Sequence, residues 1–232
     1  MKRIIIITFL TIISLGAKSQ FSVNYSAGYA SYKMNDMKEL MTFSLQMGIS
    51  SGNLPPNAKL VDIFPAYVMH TVDVGYQSGN KEGGLKLSYM TTGSKIAVAD
   101  YSGSYEEKLI TNGYRMGVFY RHHFCNMTIK QHSLSFFAEL SPALTIATMK
   151  TKSKLEINKS DNTTLTEKAE EINQKKTGYS IQPLAGARFK LYNHLLLTAS
   201  AGYDFEFGAS LGSGYRMDFS GFRINAGVGY MF

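Results

Sequence analysis

Few residues in this chain are able to do chemistry, and their spacing argues against an enzyme. Nucleophilic catalysis needs a hydroxyl or thiol within hydrogen-bond reach of a base. The candidate bases are His70, His122, His123, His132 and His194, and no G-x-S-x-G elbow accompanies them. His122 and His123 are adjacent, so on a strand they point to opposite faces and make poor joint metal ligands. Cys125 is the single cysteine. It closes no intramolecular disulfide, lacks the clustered partners of a metal site, and reads as a turn residue. Ala226-Gly227-Val228-Gly229 alternates as a strand does and is not a loop that cradles phosphate. No catalytic, cofactor-binding or metal-ligating set is expected, and no cofactor.

The charges say more. Asp73, Lys86, Arg115, Arg121, Glu139, Arg188, Lys190, Asp204, Glu206 and Arg223 all fall on the polar phase of alternating segments. Six are basic and four acidic, and charges withdrawn from water must pair. Their expected role is a network filling an interior.

The elements that must position them alternate with period two, the strand period. In Phe222–Phe232 the even positions are apolar, and the odd ones are Arg223, Asn225, Gly227, Gly229 and Met231. Leu195 to Phe207 sets Leu195, Leu197, Ala199, Ala201, Tyr203, Phe205 and Phe207 against Thr198, Ser200, Asp204 and Glu206. The same split recurs in segments at 21–30, 64–76, 85–90, 113–124, 134–147 and 179–191, which makes eight strands. Connections at 77–83, 125–131 and 192–194 are short. Those at 34–61, 94–110 and 150–176 are long, and the one at 211–216 is shorter and rich in Gly and Ser. Within the first long connection, 35–41 reads as a capped helical turn whose Met37, Leu40 and Met41 share one face and pack against a barrel mouth. Pro142 and Pro183 interrupt strands, so a bulge or locally broken pairing is expected at each.

At the N-terminus, Lys2 and Arg3 precede the apolar run Ile4–Leu15, and Ala17 and Ser19 are small. This is the pattern of an exported signal peptide. Residues 1–19 are assigned to it and 20–232 to one domain. The run is too short for a spanning helix, which needs about 20 residues. Loss of Lys2, Arg3 and Lys18 lowers the net charge from +7 to +4, and no nucleic-acid partner is expected.

Two faces follow from alternation, but not which one is inside. A soluble carrier barrel keeps the apolar face inward; a membrane barrel inverts it. The apolar face of these eight segments carries no Asp, Glu, Lys or Arg, and a charge at the bilayer midplane would cost about 2–4 kcal/mol. The polar face mixes Gly and Ala with charges of both signs, as a narrow interior requires. Aromatics gather at the segment ends: Tyr76, Tyr120, Phe124, Phe189, Tyr230 and Phe232 on the short-turn side, and Phe64, Tyr114, Tyr179, Phe205, Phe207 and Phe222 on the other. The expected fold is therefore all-β: an eight-stranded antiparallel up-and-down transmembrane β-barrel in a bacterial outer membrane. Its termini would be periplasmic and its long loops extracellular.

Val228-Gly229-Tyr230-Met231-Phe232 resembles the C-terminal assembly signal of bacterial outer-membrane proteins, with Val228, Tyr230 and Phe232 at alternate positions. The mature chain resembles the small eight-stranded barrels typified by the membrane domain of outer-membrane protein A and by outer-membrane protein X. The resemblance implies insertion by the barrel-assembly machinery and contact with outer-membrane lipids. Some such barrels act on lipid A with a His–Ser pair and an acidic partner at the outer surface, but no histidine here falls on the long-loop side. Lys150, Lys152, Lys154, Lys159, Lys168, Lys175 and Lys176 give that side basic character suited to anionic lipopolysaccharide. The expected function is non-enzymatic: a structural or surface-interaction role toward lipopolysaccharide or an extracellular ligand. A small channel is the alternative, and a lipid-A enzyme or soluble carrier stands further back.

Overall fold

The computed structural model describes residues 19–101, 103–129, 132–158, 164–168, 172–191, 194–211 and 214–232. Of the leader assigned to 1–19, only Ser19 falls within them. The elements run β1 (Ser19–Ala30), α1 (Asn35–Ser50), β2 (Lys59–Val61), β3 (Tyr67–Ser78), β4 (Lys81–Asp100), β5 (Gly103–Ile129), β6 (His132–Asn158), β7 (Thr164–Lys168), β8 (Ile172–Leu191), β9 (Leu195–Gly208) and β10 (Gly221–Met231). Eight of the strands close a ring. β1, β3, β4, β5, β6, β8, β9 and β10 pair antiparallel in that order, and β10 returns to β1. β2 adds to β4 and β7 to β6, above the ring.

The ladders define the ring's geometry. Stepping from partner to partner starting at Gln20 leads through Gln77, Glu82, Arg121, Glu139, Leu184, Gly202 and Arg223 to Ala30. The path returns to β1 ten residues further on. With a rise of about 3.3 Å per residue and strands about 4.8 Å apart, that stagger corresponds to a tilt of about 40°.

Side chains sort as the alternation requires. Asn24, Asp73, Lys86, Arg115, Arg121, Glu139, Arg188, Asp204 and Arg223 are buried, whereas Val72, Leu85, Leu87, Met116, Val118, Leu140, Ile224 and Val228 lie exposed on the outside. Exposed aromatics ring both ends of this apolar belt. Phe21, Tyr76, Phe124, Tyr230 and Phe232 are on the short-turn side; Tyr29, Tyr67, Tyr114, Tyr179, Phe205, Phe207 and Phe222 are on the other. Phe21 and Tyr29 are eight residues apart on β1, and Tyr114 and Phe124 are ten apart on β5. At that tilt the girdles stand about 20–25 Å apart, matching the apolar band of an outer-membrane barrel. No described helix is long and apolar enough to cross a membrane; the strands do the crossing.

Both prolines behave as expected. The β5–β6 ladder skips from Gly117↔Ala143 to Tyr120↔Leu140, and the β8–β9 ladder from Ile181↔Phe205 to Leu184↔Gly202. The other side of each proline stays paired, at Pro142↔Ile181 and Pro183↔Leu140. Register is the same across each gap, so pairing is locally broken without a bulge. Arg115 Nη2 donates to the carbonyl of Ser141 beside the first gap, satisfying an acceptor next to the interrupted ladder.

Several expectations need correction. The connections expected at 94–110 and 150–176 are largely strand. β4 and β5 stay paired from Lys81↔His122 to Asp100↔Gly103, and β5 and β6 as far as Gly103↔Ile157. A span needs about ten residues, so the 27-residue β5 and β6 rise far above the upper girdle. The short connection at 77–83 shrinks to Gly79-Asn80, with Gly79 at φ 60° supplying the turn. Cys125 lies in β5, not in a turn, at a bulge where its φ is 53°. The helix runs on to Ser50 and has no side-chain cap; Met34 precedes it at φ 41°. Phe64 sits before β3 begins and is buried, not lipid-facing.

Phe64 joins an apolar core. Met37 and Met41 of α1 pack with Tyr32, Met34, Met90, Ile96, Leu109, Met149, Met217 and Phe219 across the tall end of the barrel. The helix thus backs the inner face of the raised sheet and caps the mouth, as expected for its Met37 face.

A closed ring of this kind should resist detergent. On a denaturing gel the unboiled protein is expected to migrate differently from the boiled protein. Identical mobility, with the protein in the soluble fraction, would contradict the inverted polarity.

Candidate functional site

The lumen charges lie in two layers. In the lower one Glu82 is the hub. Its Oε2 receives His123 Nε2 at 3.0 Å, Arg121 Nη1 at 3.0 Å and Arg188 Nη1 at 2.9 Å. Its Oε1 accepts from Ser22 Oγ at 2.9 Å and Arg188 Nη2 at 3.2 Å. Arg121 also reaches Glu139 Oε2 at 2.6 Å and Asp73 Oδ1 at 3.8 Å. Lys86 pairs with the other oxygen of Glu139, and Asn24 Nδ2 donates to Asp73 at 2.8 Å. The Arg121 guanidinium lies 4.7 Å from the ring centres of both Phe119 and Phe137, a desolvated cation–π arrangement.

Local sequence explains the packing. Glu82, Arg121 and Glu139 are direct cross-strand partners on β4, β5 and β6, so the ladder alone aligns them. Glycine leaves the room: a Cβ on Gly75 would stand 2.7 Å from Glu82 Oε1 and 3.0 Å from the Phe119 ring.

The upper layer is smaller. Asp204 Oδ2 is shared by Arg115 Nε at 3.5 Å and Arg223 Nη2 at 3.7 Å. Arg115 also donates to Ser180 Oγ at 2.8 Å and Ser141 Oγ at 3.1 Å. Glu206 makes no ion pair among the described residues; its Oε2 accepts the Phe219 amide at 2.6 Å, tying the cap to the barrel wall. A pocket against the lower layer, lined by Thr71, Asp73, Lys86, Arg121, Glu139 and Asn225, measures 20 Å³, room for about one water.

Of the ten charges singled out from sequence, eight join these ion-pair layers. Glu206 instead binds backbone, and Lys190, half-buried near the short-turn rim, donates to Gln20 Oε1 at 3.2 Å. Glu82, His123, Ser22 and Asn24 were missed as network members. Carrying the inward phase of β4 back from Lys86 through Gly84 identifies Glu82. His123 is buried inside, while His122 is exposed, so the pair does face opposite ways. Among the described residues no group of His, Cys, Asp and Glu is suited to a metal ion.

At the C-terminus, Val228, Tyr230 and Phe232 all face outward. Tyr230 stacks on His194 with ring centres 5.5 Å apart, and Phe232 meets Tyr230 edge-on at 4.9 Å. The Phe232 amide donates to the Phe21 carbonyl at 2.8 Å, so the chain's end locks to its first strand. Lys59, Lys95 and Lys108 join the basic residues of the tall side; Lys159 lies outside the described residues.

A closed eight-stranded ring, polar inside and apolar outside between two aromatic girdles, defines the chain as an outer-membrane β-barrel. No family model matches it, and no curated protein does. Solved structures similar to it include three outer-membrane proteins. The N-terminal β-barrel domain of Pseudomonas aeruginosa OprF shares 14% identity over 93% of this chain and 98% of its own, with a TM-score of 0.39. Neisserial surface protein A shares 13% over 91% and 97%, at 0.40. Ail, the attachment invasion locus protein of Yersinia pestis, shares 12% over 93% and 99%, at 0.38. The class rests on the chain's own ladders and burial.

Removing one partner of a buried ion pair strands the others, typically for about 3–5 kcal/mol. Arg121→Met is therefore expected to destabilise the barrel by about that much in urea unfolding from lipid vesicles. Lys190→Met should change it by about 0.5 kcal/mol or less. Equal effects would show that the lower layer does not hold the barrel together.

Proposed function

We propose that this protein is a non-enzymatic outer-membrane scaffold that closes its own lumen and works by binding at its tall rim. The observation that carries the reading is the continuation of β4, β5 and β6 beyond the aromatic girdle as a sheet backed by α1. Rigid backing of a binding surface lowers the ordering cost of recognition. In this reading the tall rim is extracellular and the short turns and both termini are periplasmic.

Two features support a closed, non-catalytic barrel. The methionine-rich cap covers one end of the lumen and two ion-pair layers cross it, with a pocket for about one water against the lower layer. Among the described residues the histidines sit near the short turns or, for His70, on the lipid face beside Tyr25. None stands at the tall rim, where a hydroxyl nucleophile acting on outer-leaflet lipid would need its base.

Purified protein in planar bilayers is expected to show no unitary conductance; stepwise openings would favour the channel. Orientation is tested on intact cells with a membrane-impermeant maleimide. Lys152→Cys in a Cys125→Ser background should label directly, whereas native Cys125 should label only after the outer membrane is permeabilised. The reverse pattern would turn the barrel over.

A further inference from the structure

The short-turn half of the lumen holds more positive than negative charge. Its carboxylates are Asp73, Glu82 and Glu139, and its cations are Lys86, Arg121, Arg188 and Lys190. A positive charge is therefore left over even with His123 neutral. The surplus has a definite place. Lys86 and Arg121 are held by Glu139, and Arg188 by Glu82. Lys190 makes no ion pair among the described residues; its hydrogen bond goes to the neutral side chain of Gln20.

Arg188 adds a second unsatisfied donor. It and Lys190 are alternate inward residues at the end of β8. Both Nη atoms of Arg188 reach across the lumen to Glu82, at 2.9 and 3.2 Å. Its Nε, nearer the β8 wall, has no hydrogen-bond partner, in a residue only 3% exposed. A buried donor left without an acceptor is costly. Lys190 keeps two N–H groups beyond the one given to Gln20. The flanking strands offer no opposite charge: Arg188 and Lys190 pair with Ser135 and Ser133 on β6, and with Thr198 and Leu196 on β9. Glu82 is already taken by His123, Arg121, Arg188 and Ser22.

The donors narrow the choice of anion. A carboxylate binds arginine best through two parallel N–H groups. Both Nη atoms here are committed to Glu82, which leaves Nε alone. One N–H from Arg188 and two from the Lys190 ammonium suit oxygens that point in different directions, as on a tetrahedral phosphate. Leu196, fully buried beside Lys190, makes that wall apolar, and charge interactions strengthen where water is excluded. Both cations sit on the inward phase, inside the ring, and Gln20, next to Phe21, puts Lys190 level with the lower girdle. Phospholipid headgroups lie outside the ring at that level. A phosphate inside it arrives along the barrel axis from the aqueous side.

We infer that the short-turn mouth of the lumen binds the phosphate group of a water-soluble solute, held between Lys190 Nζ and Arg188 Nε. The inference goes beyond the tall-rim scaffold and does not depend on it. That the mouth faces the periplasm does rest on the orientation proposed above.

The test titrates the full protein in phosphatidylcholine nanodiscs with inorganic phosphate at constant ionic strength. Direct binding and thermal unfolding followed by circular dichroism are the readouts. Acetate at the same ionic strength, and nanodiscs containing phosphatidylglycerol but no phosphate, are the parallel arms. Phosphate is expected to bind the wild type and raise its unfolding midpoint, since only the folded ring assembles the site. In Lys190→Met its affinity should fall at least tenfold, while stability without phosphate stays that of the wild type. Lys190→Gln should lose phosphate equally, so misfolding of one variant does not account for the loss. Lys81→Met, which removes an exposed lysine at the β3–β4 turn, should bind phosphate as the wild type does. Absence of binding by the wild type, undiminished binding by the Lys190 variants, or an equal loss in Lys81→Met would overturn the inference. So would an equal rise in midpoint from acetate or phosphatidylglycerol. Maleimide labelling reads orientation separately, so a barrel turned over would change the compartment this mouth faces and leave the binding result standing.

Discussion

Every feature of this protein answers to one constraint: a backbone inside lipid has no water to bond with, so each amide and carbonyl must find its partner in the chain. Closing eight strands into a ring meets it without leaving an edge. The ring then dictates polarity. Its outside must be apolar, and its narrow inside must be filled by what the alternate positions supply. Charges buried there have no solvent, so they pair, and Glu82, Arg121 and Glu139 do so across three adjacent strands. The prolines show how closely the rule is kept: where Pro142 interrupts the ladder, Arg115 takes up the carbonyl of its neighbour, Ser141.

How legible this was depended on contrast between the two faces. Within the membrane, Leu85-Lys86-Leu87 or Phe222-Arg223-Ile224 alternates between extremes, and strand, phase and inward charge follow from the letters. Above the girdle the contrast vanishes. Lys150-Thr151-Lys152-Ser153-Lys154 is polar on both phases, so nothing marks it as strand, and its extended pairing is visible only in the structure. The same loss hid the register that sets Lys95 opposite Lys108 and Lys108 opposite Lys152, because cross-strand pairing is not a property of any one segment.

Inside the lumen, what escaped sequence reading was mostly a matter of boundaries. Glu82 sits four residues before Lys86 on the same phase, separated by Gly83 and Gly84 that resembled a turn. Phe64 matched the apolar phase of β3 but precedes the strand, and a backbone at φ 45° directs it into the cap instead of the lipid. Lys190 and Glu206 were on the correct face; which partners they meet depends on distances across the lumen that alternation does not encode.

The connectivity of the lower ion-pair layer has a consequence for how the molecule comes into being. Glu82, Arg121, Glu139 and Lys86 all reside on β4, β5 and β6, three consecutive strands joined by hairpins, so their contacts are comparatively local in the chain. The seam between β1 and β10 instead joins Ser22 to Met231, nearly the whole chain apart, and pairings so distant are slow to form. The central charged hub and the raised sheet above it can therefore mature as one unit while the seam is still open. Arg188, reaching Glu82 from β8, ties a later strand onto a hub already in place.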